Sequence, residues 1–245
     1  MTILDKILSL SADEKTSRGL LHTPAEIAQQ PDCWKETLKV IRKDSEGLKA
    51  FLKPEAMILN PKLRIVFTGA GTSEFIGTSV EQALRKTLKV DCDTRATTDI
   101  ITSWDKIFIP SREYLVVSFA RSGNSPESVA TYDIVKKKVV GAKQLIITCN
   151  KDGELAKRAK SDKATYCVVL PPQTNDKSLA MTSSYSSMAV AAMALGFLDD
   201  LDAYSKIVEL LCSQAKAILM QSDLIYELAK RDWKRGVFLG TGSLY

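Results

Sequence analysis

Two turns of this sequence place glycines and hydroxyl side chains directly after apolar, β-branched runs. The first covers residues 68–73, Thr-Gly-Ala-Gly-Thr-Ser, and the second covers residues 120–125, Ala-Arg-Ser-Gly-Asn-Ser. Each apolar run predicts a buried strand, and the polar residues after it predict a helix start. The free N–H groups at a helix start attract anions, so both turns are candidates for binding a phosphate.

Hydroxyl and guanidinium groups in these turns supply further donors for an anion. The candidate phosphate ligands are Ser73, Arg121, Ser122 and Ser125. Gly71, Thr72 and, later in the chain, Thr182 are candidates for contacts with the rest of a substrate. Each turn alone is equally typical of an ordinary capped turn, with Ser125 before Pro126 as the N-cap of its helix. The first turn lacks the third glycine of the dinucleotide fingerprint and the lysine of a P-loop, so two such turns together favour one small phosphorylated ligand.

One carboxylate is a candidate for a catalytic role. Asp176 is the only acidic residue in the polar segment 173–185, which opens a long apolar helix. A catalytic role, away from the phosphate end of a ligand, and a role as a helix cap or exposed side chain are both open for it. His22 is the only histidine, and a local hydrogen-bonding role is favoured over a catalytic one. Just after it, Thr23 and Glu26 have the spacing of a capping box.

Strand and helix patterns alternate from residue 63 onward. The predicted strands are 64–68, 89–94, 114–119, 144–149 and 165–170. The predicted helices between and after them are 74–88, 97–103, 126–139, 153–160 and 180–196, followed by one helix over 204–230. Short connections between these elements indicate βαβ crossovers, and therefore an α/β fold with a parallel sheet of about five strands covered on both faces.

Composition limits the class of protein. The chain has 245 residues, is 45% hydrophobic and carries a formal net charge of +5, which fits anionic substrates but does not argue for nucleic acid. Its five cysteines show no paired spacing, so reduced thiols and no structural zinc are expected. No signal segment or long apolar stretch is evident, so a cytoplasmic protein without a membrane partner is expected.

The end of the sequence repeats its first turn. Residues 235–240 predict an apolar strand, and Gly240-Thr-Gly-Ser then resembles the turn after Gly69. The expected organisation is an N-terminal helical segment at 1–52, a first α/β domain at 53–200, a helical linker at 201–233 and, at 234–245, the start of a second, truncated copy. This repetition indicates a tandem architecture, with a resistant core and a poorly anchored tail.

Five motifs together resemble the tandem SIS (sugar isomerase) family, and in particular its galactosamine-6-phosphate deaminase/isomerase group. They are Glu26-Ile-Ala-Gln-Gln-Pro31 and the stretches 67–73, 118–127, 175–184 and 240–245. The resemblance implies a three-layer α/β/α sandwich, no metal or organic cofactor, and a homo-oligomer. It also implies that Ser73, Ser122 and Ser125 hold the phosphate and that Asp176 moves the proton. Arg121 and Ala120 depart from the related glucosamine-6-phosphate synthase loop, which has glutamine and serine there.

The function implied is aldose–ketose isomerisation of a hexose or hexosamine 6-phosphate, coupled to deamination of galactosamine 6-phosphate to tagatose 6-phosphate. A phosphorylated amino sugar or ketose is the expected partner. The alternatives are a sugar-phosphate-binding regulatory SIS module and an inactive truncated fragment. Residues 1–60 lack a basic recognition helix, which favours the enzyme over a transcription regulator.

Overall fold

The computed structural model describes residues 1–53, 56–57 and 59–242. The strands are β1 (Leu63–Gly69), β2 (Asp91–Ala96), β3 (Glu113–Ala120), β4 (Lys143–Thr148) and β5 (Thr165–Val169). The helices are α1 (Ile3–Ser9), α2 (Ala12–Ser17), α3 (Thr23–Ala28), α4 (Gln30–Leu52), α5 (Thr72–Leu88), α6 (Thr97–Ile107), α7 (Pro126–Lys138), α8 (Glu154–Ala159), α9 (Ser183–Ala194), α10 (Leu201–Leu219) and α11 (Ser222–Ala229).

The five strands form one parallel sheet in the order β2-β1-β3-β4-β5. The chain leaves β1 toward β2 on one side and returns to β3 on the other, so the strand order reverses between β1 and β3. Loops that leave two such strands diverge and open a crevice at the carboxyl edge of the sheet. Both predicted anion-binding turns lie at this reversal point.

Alternating side chains of the strands build a core on each face of the sheet. Ile65 and Phe67 pack on the side of α4, α5 and α9, whereas Val66 packs on the side of α6 and α7. This alternation follows from the period of two along a strand. The predicted α/β fold with three layers and five parallel strands is therefore confirmed.

Helices at both ends of the chain surround one side of this core. α4 packs against α9 and α10, and α10 contributes Tyr204, Val208 and Cys212 to the buried cluster. No helix in the described part of the chain combines the length and apolar composition needed to cross a bilayer.

The capping box predicted at Thr23 is wrong. α3 begins at Thr23 itself, and His22 at the N-cap position makes no side-chain capping bond. Glu26 does not reach back to the start of α3, because its carboxylate is buried against a distant segment of the chain. The three-residue spacing of Thr23 and Glu26 does not show whether the Glu26 carboxylate binds the start of its own helix or a distant segment.

The single helix predicted over 204–230 is also wrong. α10 ends at Leu219, and α11 begins at Ser222 after a break at Met220 and Gln221. Ser222 and Asp223 accept hydrogen bonds from the first backbone N–H groups of α1, at 3.3 and 2.7 Å. The second helix thus packs against the N-terminal helix instead of continuing α10.

Residues 235–240 form no strand, contrary to the sequence prediction. Val237, Phe238 and Leu239 are 78%, 100% and 93% exposed. An apolar segment becomes a strand only when a neighbouring strand pairs its N–H and C=O groups, and no strand in the described residues lies beside it. The repeated turn after Gly240 extends beyond residue 242 and so lies partly outside the described residues.

Candidate functional site

The first loop of the crevice joins β1 to α5. Gly71 adopts a positive φ of 56° and occupies the N-cap position of α5, which has no side-chain cap. Thr72 is exposed and Ser73 is buried in the first turn. The N–H groups of Ser73 and Glu74 donate to the carbonyls of Ala70 and Gly71, at 3.3 and 2.9 Å. Predicted site residues Gly71, Thr72 and Ser73 therefore share one helix start, whose positive end favours an anion.

Gly69 permits the close approach that this loop requires. A Cβ built at Gly69 would lie 2.4 Å from the carbonyl carbon of Ser73 and 2.7 Å from the nitrogen of Glu74. Both atoms belong to the backbone, so they cannot move without displacing the start of α5.

We expect Gly69→Ala to lower the free energy of unfolding by about 1–3 kcal/mol, as overpacking typically does. The same shift should displace Ser73 and weaken sugar-phosphate binding. Chemical denaturation measures the first effect and calorimetry the second. Gly236→Ala is the matched control, because a Cβ at Gly236 meets no atom within 4 Å. Equal stability of the two variants would contradict the expectation.

The second loop joins β3 to α7 and contains the other predicted phosphate ligands. Ser125 is the N-cap of α7, as predicted: its hydroxyl oxygen accepts from the backbone N–H of Ser128 at 3.4 Å, and its O–H donates to the Ser128 hydroxyl at 2.7 Å. Ser122 is exposed, and its hydroxyl oxygen accepts only a long bond of 3.3 Å from the Asn124 N–H. The Ser122 carbonyl in turn accepts from Asn150 at 2.9 Å, which fixes the loop against the end of β4.

A third segment, residues 177–182, contacts both loops. Nη1 of Arg121 donates to the carbonyl oxygens of Ser178 at 2.8 Å and Leu179 at 3.3 Å. The Ser73 hydroxyl lies 3.7 Å from the sulfur of Met181. The structure thus gathers Ser73, Arg121 and the 177–182 segment, which are far apart in the sequence, at the carboxyl ends of β1 and β3.

Asp176 lies just before this segment, and donors occupy both of its oxygens. Oδ2 accepts from the backbone N–H groups of Thr182 and Ser184, each at 2.8 Å, and from the Ser184 hydroxyl at 2.6 Å. Oδ1 accepts from the Ser183 N–H at 3.2 Å and the Thr182 hydroxyl at 3.3 Å. The side chain is 6% exposed. Asp176 therefore caps the N-terminus of α9, which is the capping role that the sequence left open beside a catalytic one. The predicted substrate contact Thr182 is one of its donors.

Glu26 and Gln29 are site-supporting residues that the sequence prediction missed. The Glu26 carboxylate accepts from the backbone N–H groups of Lys177 at 2.6 Å and Ser178 at 3.2 Å. Gln29 donates from Nε2 to the Gln173 carbonyl and the Ser183 hydroxyl, both at 2.9 Å. Both residues belong to the Glu26–Pro31 motif, so the motif could have marked them as candidates. Their hydrogen-bond partners lie about 150 residues away in the sequence, and no local pattern identifies those partners.

Titratable groups near the crevice limit its chemistry. Burial, and after it the negative charge of Asp99, raise the pKa of the Glu74 carboxyl above its usual value. Burial raises the pKa of the Cys149 thiol to about 12 and that of Cys33 to about 11. These two thiols stay protonated at neutral pH and are poor nucleophiles. Within the described ranges, no group of three His, Cys, Asp or Glu side chains is placed to hold a metal ion.

Taken together, the crevice suits an anionic ligand. The N-termini of α5 and α7 converge on it with hydroxyl groups and with one guanidinium that is only partly exposed. This geometry is consistent with the roles predicted for Ser73, Arg121, Ser122 and Ser125, which stay predictions.

Comparison with known proteins identifies similar chains. D-galactosamine-6-phosphate deaminase AgaS of Shewanella sp. (strain ANA-3) is 34% identical over 98% of this chain and 61% of its own length. Tagatose-6-phosphate ketose/aldose isomerase of Escherichia coli superposes with a TM-score of 0.83 and 33% identity over 90% of this chain and 60% of its own. A structure from Clostridium novyi NT, described as a putative tagatose-6-phosphate ketose/aldose isomerase, superposes with a TM-score of 0.89. It is 35% identical over 96% of this chain and 60% of its own.

The chain spans about three fifths of the length of these relatives. Residues 57–197, which include the five strands of the described sheet and the crevice loops, match the SIS domain family. Sequence and fold agree on this assignment, and the chain belongs to the SIS domain family.

Proposed function

We propose that the crevice binds a hexose or hexosamine 6-phosphate through its phosphate group. The observation that supports this most directly is the convergence of two helix N-termini, three serine hydroxyls and Arg121 at the strand-order reversal. Such a set of donors recognises a dianion and leaves the uncharged sugar to extend across the 177–182 segment.

We propose further that the protein acts in phosphosugar isomerisation with deamination, as the names of its relatives suggest. With open-chain galactosamine 6-phosphate, one proton would move from C2 to C1 and another from the amine nitrogen to O1, giving a hydroxyl group at C1 and an imine at C2. Water would then add at C2 and ammonia would leave, so that the products are tagatose 6-phosphate and ammonia. Binding the distant phosphate would hold C1 and C2 in place during the proton transfer.

Two carboxyl groups near the crevice are candidates for the proton transfer. The resemblance implies Asp176, but the five donors around its oxygens favour the capping role. Glu74 lies beside Ser73 in the first turn of α5, and its raised pKa suits a carboxyl that exchanges protons nearer to neutral pH. Asp176 and Glu74 are therefore the two carboxyl groups proposed for the proton transfer.

The proposed function is tested with the whole chain. We expect calorimetry to show binding of galactosamine 6-phosphate and tagatose 6-phosphate, with much weaker binding of unphosphorylated galactosamine. A coupled assay then measures release of ammonia and ketose 6-phosphate. Binding with turnover supports the enzyme, and binding without turnover supports a sugar-phosphate sensor or an inactive fragment. Equal affinity for phosphorylated and unphosphorylated sugars would contradict the phosphate site.

A further inference from the structure

A buried carboxylate on the N-terminal segment holds one side of the crevice. Glu26 is 7% exposed, although it lies on the short helix α3 near the start of the chain. Its oxygens accept from the N–H groups of Lys177 and Ser178 and from the Ser178 hydroxyl. Burying a carboxylate costs free energy unless donors compensate it, and these three donors supply that compensation.

Arg121 binds the opposite side of the same backbone. The N–H of Ser178 points to Glu26, and the C=O of Ser178 accepts from Arg121 at 2.8 Å. The carboxylate and the guanidinium therefore hold Ser178 from opposite sides. The N–H belongs to the 177–178 peptide group and the C=O to the 178–179 group, so the two contacts together fix the backbone on both sides of Ser178.

We propose that Glu26 is a positioning residue for phosphate recognition, acting on Arg121 through the backbone of Ser178 and Leu179. The inference rests on the proposed function, since it assigns Arg121 to the phosphate of the ligand. Arg121 has five N–H donors, and its contacts with the described residues engage Nη1. Glu26 fixes the carbonyls that hold Nη1, and this directs the remaining donors toward the crevice between the β1 and β3 loops.

The side chain of Glu26 can be changed without detaching α3 from the domain. The Ser183 hydroxyl donates to the backbone carbonyl of Glu26 at 2.6 Å, and Gln29 donates to the Gln173 carbonyl. Neither contact uses the Glu26 carboxylate. A Glu26→Gln variant keeps the shape and these contacts but places an amide N–H₂ among three donors, so it specifically disturbs residues 177–179.

The test is calorimetry on the whole chain with galactosamine 6-phosphate and unphosphorylated galactosamine. We expect Glu26→Gln to lower the affinity for the phosphorylated sugar roughly tenfold, because one charge-assisted contact to the phosphate is misplaced. The affinity for the unphosphorylated sugar should stay unchanged. In a Glu26→Gln/Arg121→Ala double variant the affinity should equal that of Arg121→Ala alone, since both act on one group. Glu36→Gln is the control, because the partner of Glu36 is the exposed Lys39 on its own helix.

The outcomes distinguish a positioning role of Glu26 from phosphosugar binding itself. Normal phosphosugar affinity in Glu26→Gln, with a loss in Arg121→Ala, would show that Glu26 only stabilises the fold and would overturn the inference. Additive losses in the double variant would overturn it too, since independent effects exclude action through Arg121. No phosphosugar binding by the unmodified chain would refute the proposed function, and the inference with it. Thermal unfolding of each variant verifies that the affinities refer to folded protein.

Discussion

Replacing Arg121 by alanine should weaken the binding of a hexose 6-phosphate by at least tenfold while leaving the unphosphorylated sugar almost unaffected. A hydrogen bond to a charged group typically contributes about 1.5–3 kcal/mol, and each 1.4 kcal/mol is a factor of ten in affinity. Arg121 is half-buried and held at 2.8 Å by the Ser178 carbonyl. Its position is therefore fixed before the ligand binds, and little entropy is lost in forming the new contact.

Isothermal titration of galactosamine 6-phosphate and galactosamine measures both affinities. Arg121→Lys is the informative companion variant, because lysine keeps the charge but has no planar fork to bind a carbonyl and a phosphate together. We expect its phosphosugar affinity to lie between those of the wild type and Arg121→Ala. Lys137→Ala, in an exposed basic run on α7, controls for net charge. Equal losses for both ligands would remove Arg121 from the phosphate site.

Replacing Asp176 by asparagine should lower the free energy of unfolding by about 2–3 kcal/mol. Asparagine is nearly isosteric, but its N–H₂ group would face backbone and hydroxyl donors that now bond to Oδ1 or Oδ2. A buried donor left without an acceptor costs about 1–3 kcal/mol. The loss is measured by denaturant unfolding, with an unchanged slope as evidence that the native fold is kept.

The matched control is Asp200→Asn. Asp200 also caps a helix, accepting from the Ala203 N–H at 2.9 Å, but it is exposed. Asparagine is about as good an N-cap as aspartate, so this variant should lose only a few tenths of a kcal/mol. Similar losses at the two positions would contradict the role assigned to the buried hydrogen bonds of Asp176.

Turnover of the same variant separates capping from catalysis. If Asp176 carries the proton, Asp176→Asn lowers turnover roughly 10²-fold even at temperatures where the variant is folded. If Asp176 only caps α9, its variant should keep near-normal turnover there. If Glu74 carries the proton, the large loss should appear in Glu74→Gln instead. Product affinity should change little in either variant, because neither side chain belongs to the predicted phosphate ligands.

Local patterns in the sequence determined the scaffold and the predicted phosphate ligands. The continuous apolar run of Ile65, Val66 and Phe67 specifies a strand buried on both faces, and Ser125 before Pro126 specifies the start of α7. These signals depend on interactions between residues a few positions apart, so they can be interpreted without a fold. The carboxyl ends of parallel strands meet at one edge, which is why both predicted turns reached the same crevice.

Tertiary structure alone decided the partners of the two buried carboxylates and the state of the C-terminal apolar segment. Glu26 and Asp176 each have the local pattern of more than one role, and their donors are fixed only when α3, the 177–182 segment and α9 pack together. Phe238 lies in a run with strand propensity, yet it is fully exposed and outside any strand. Hydrogen-bond partners across the chain depend on which elements become neighbours, and a pattern of adjacent residues does not encode that choice.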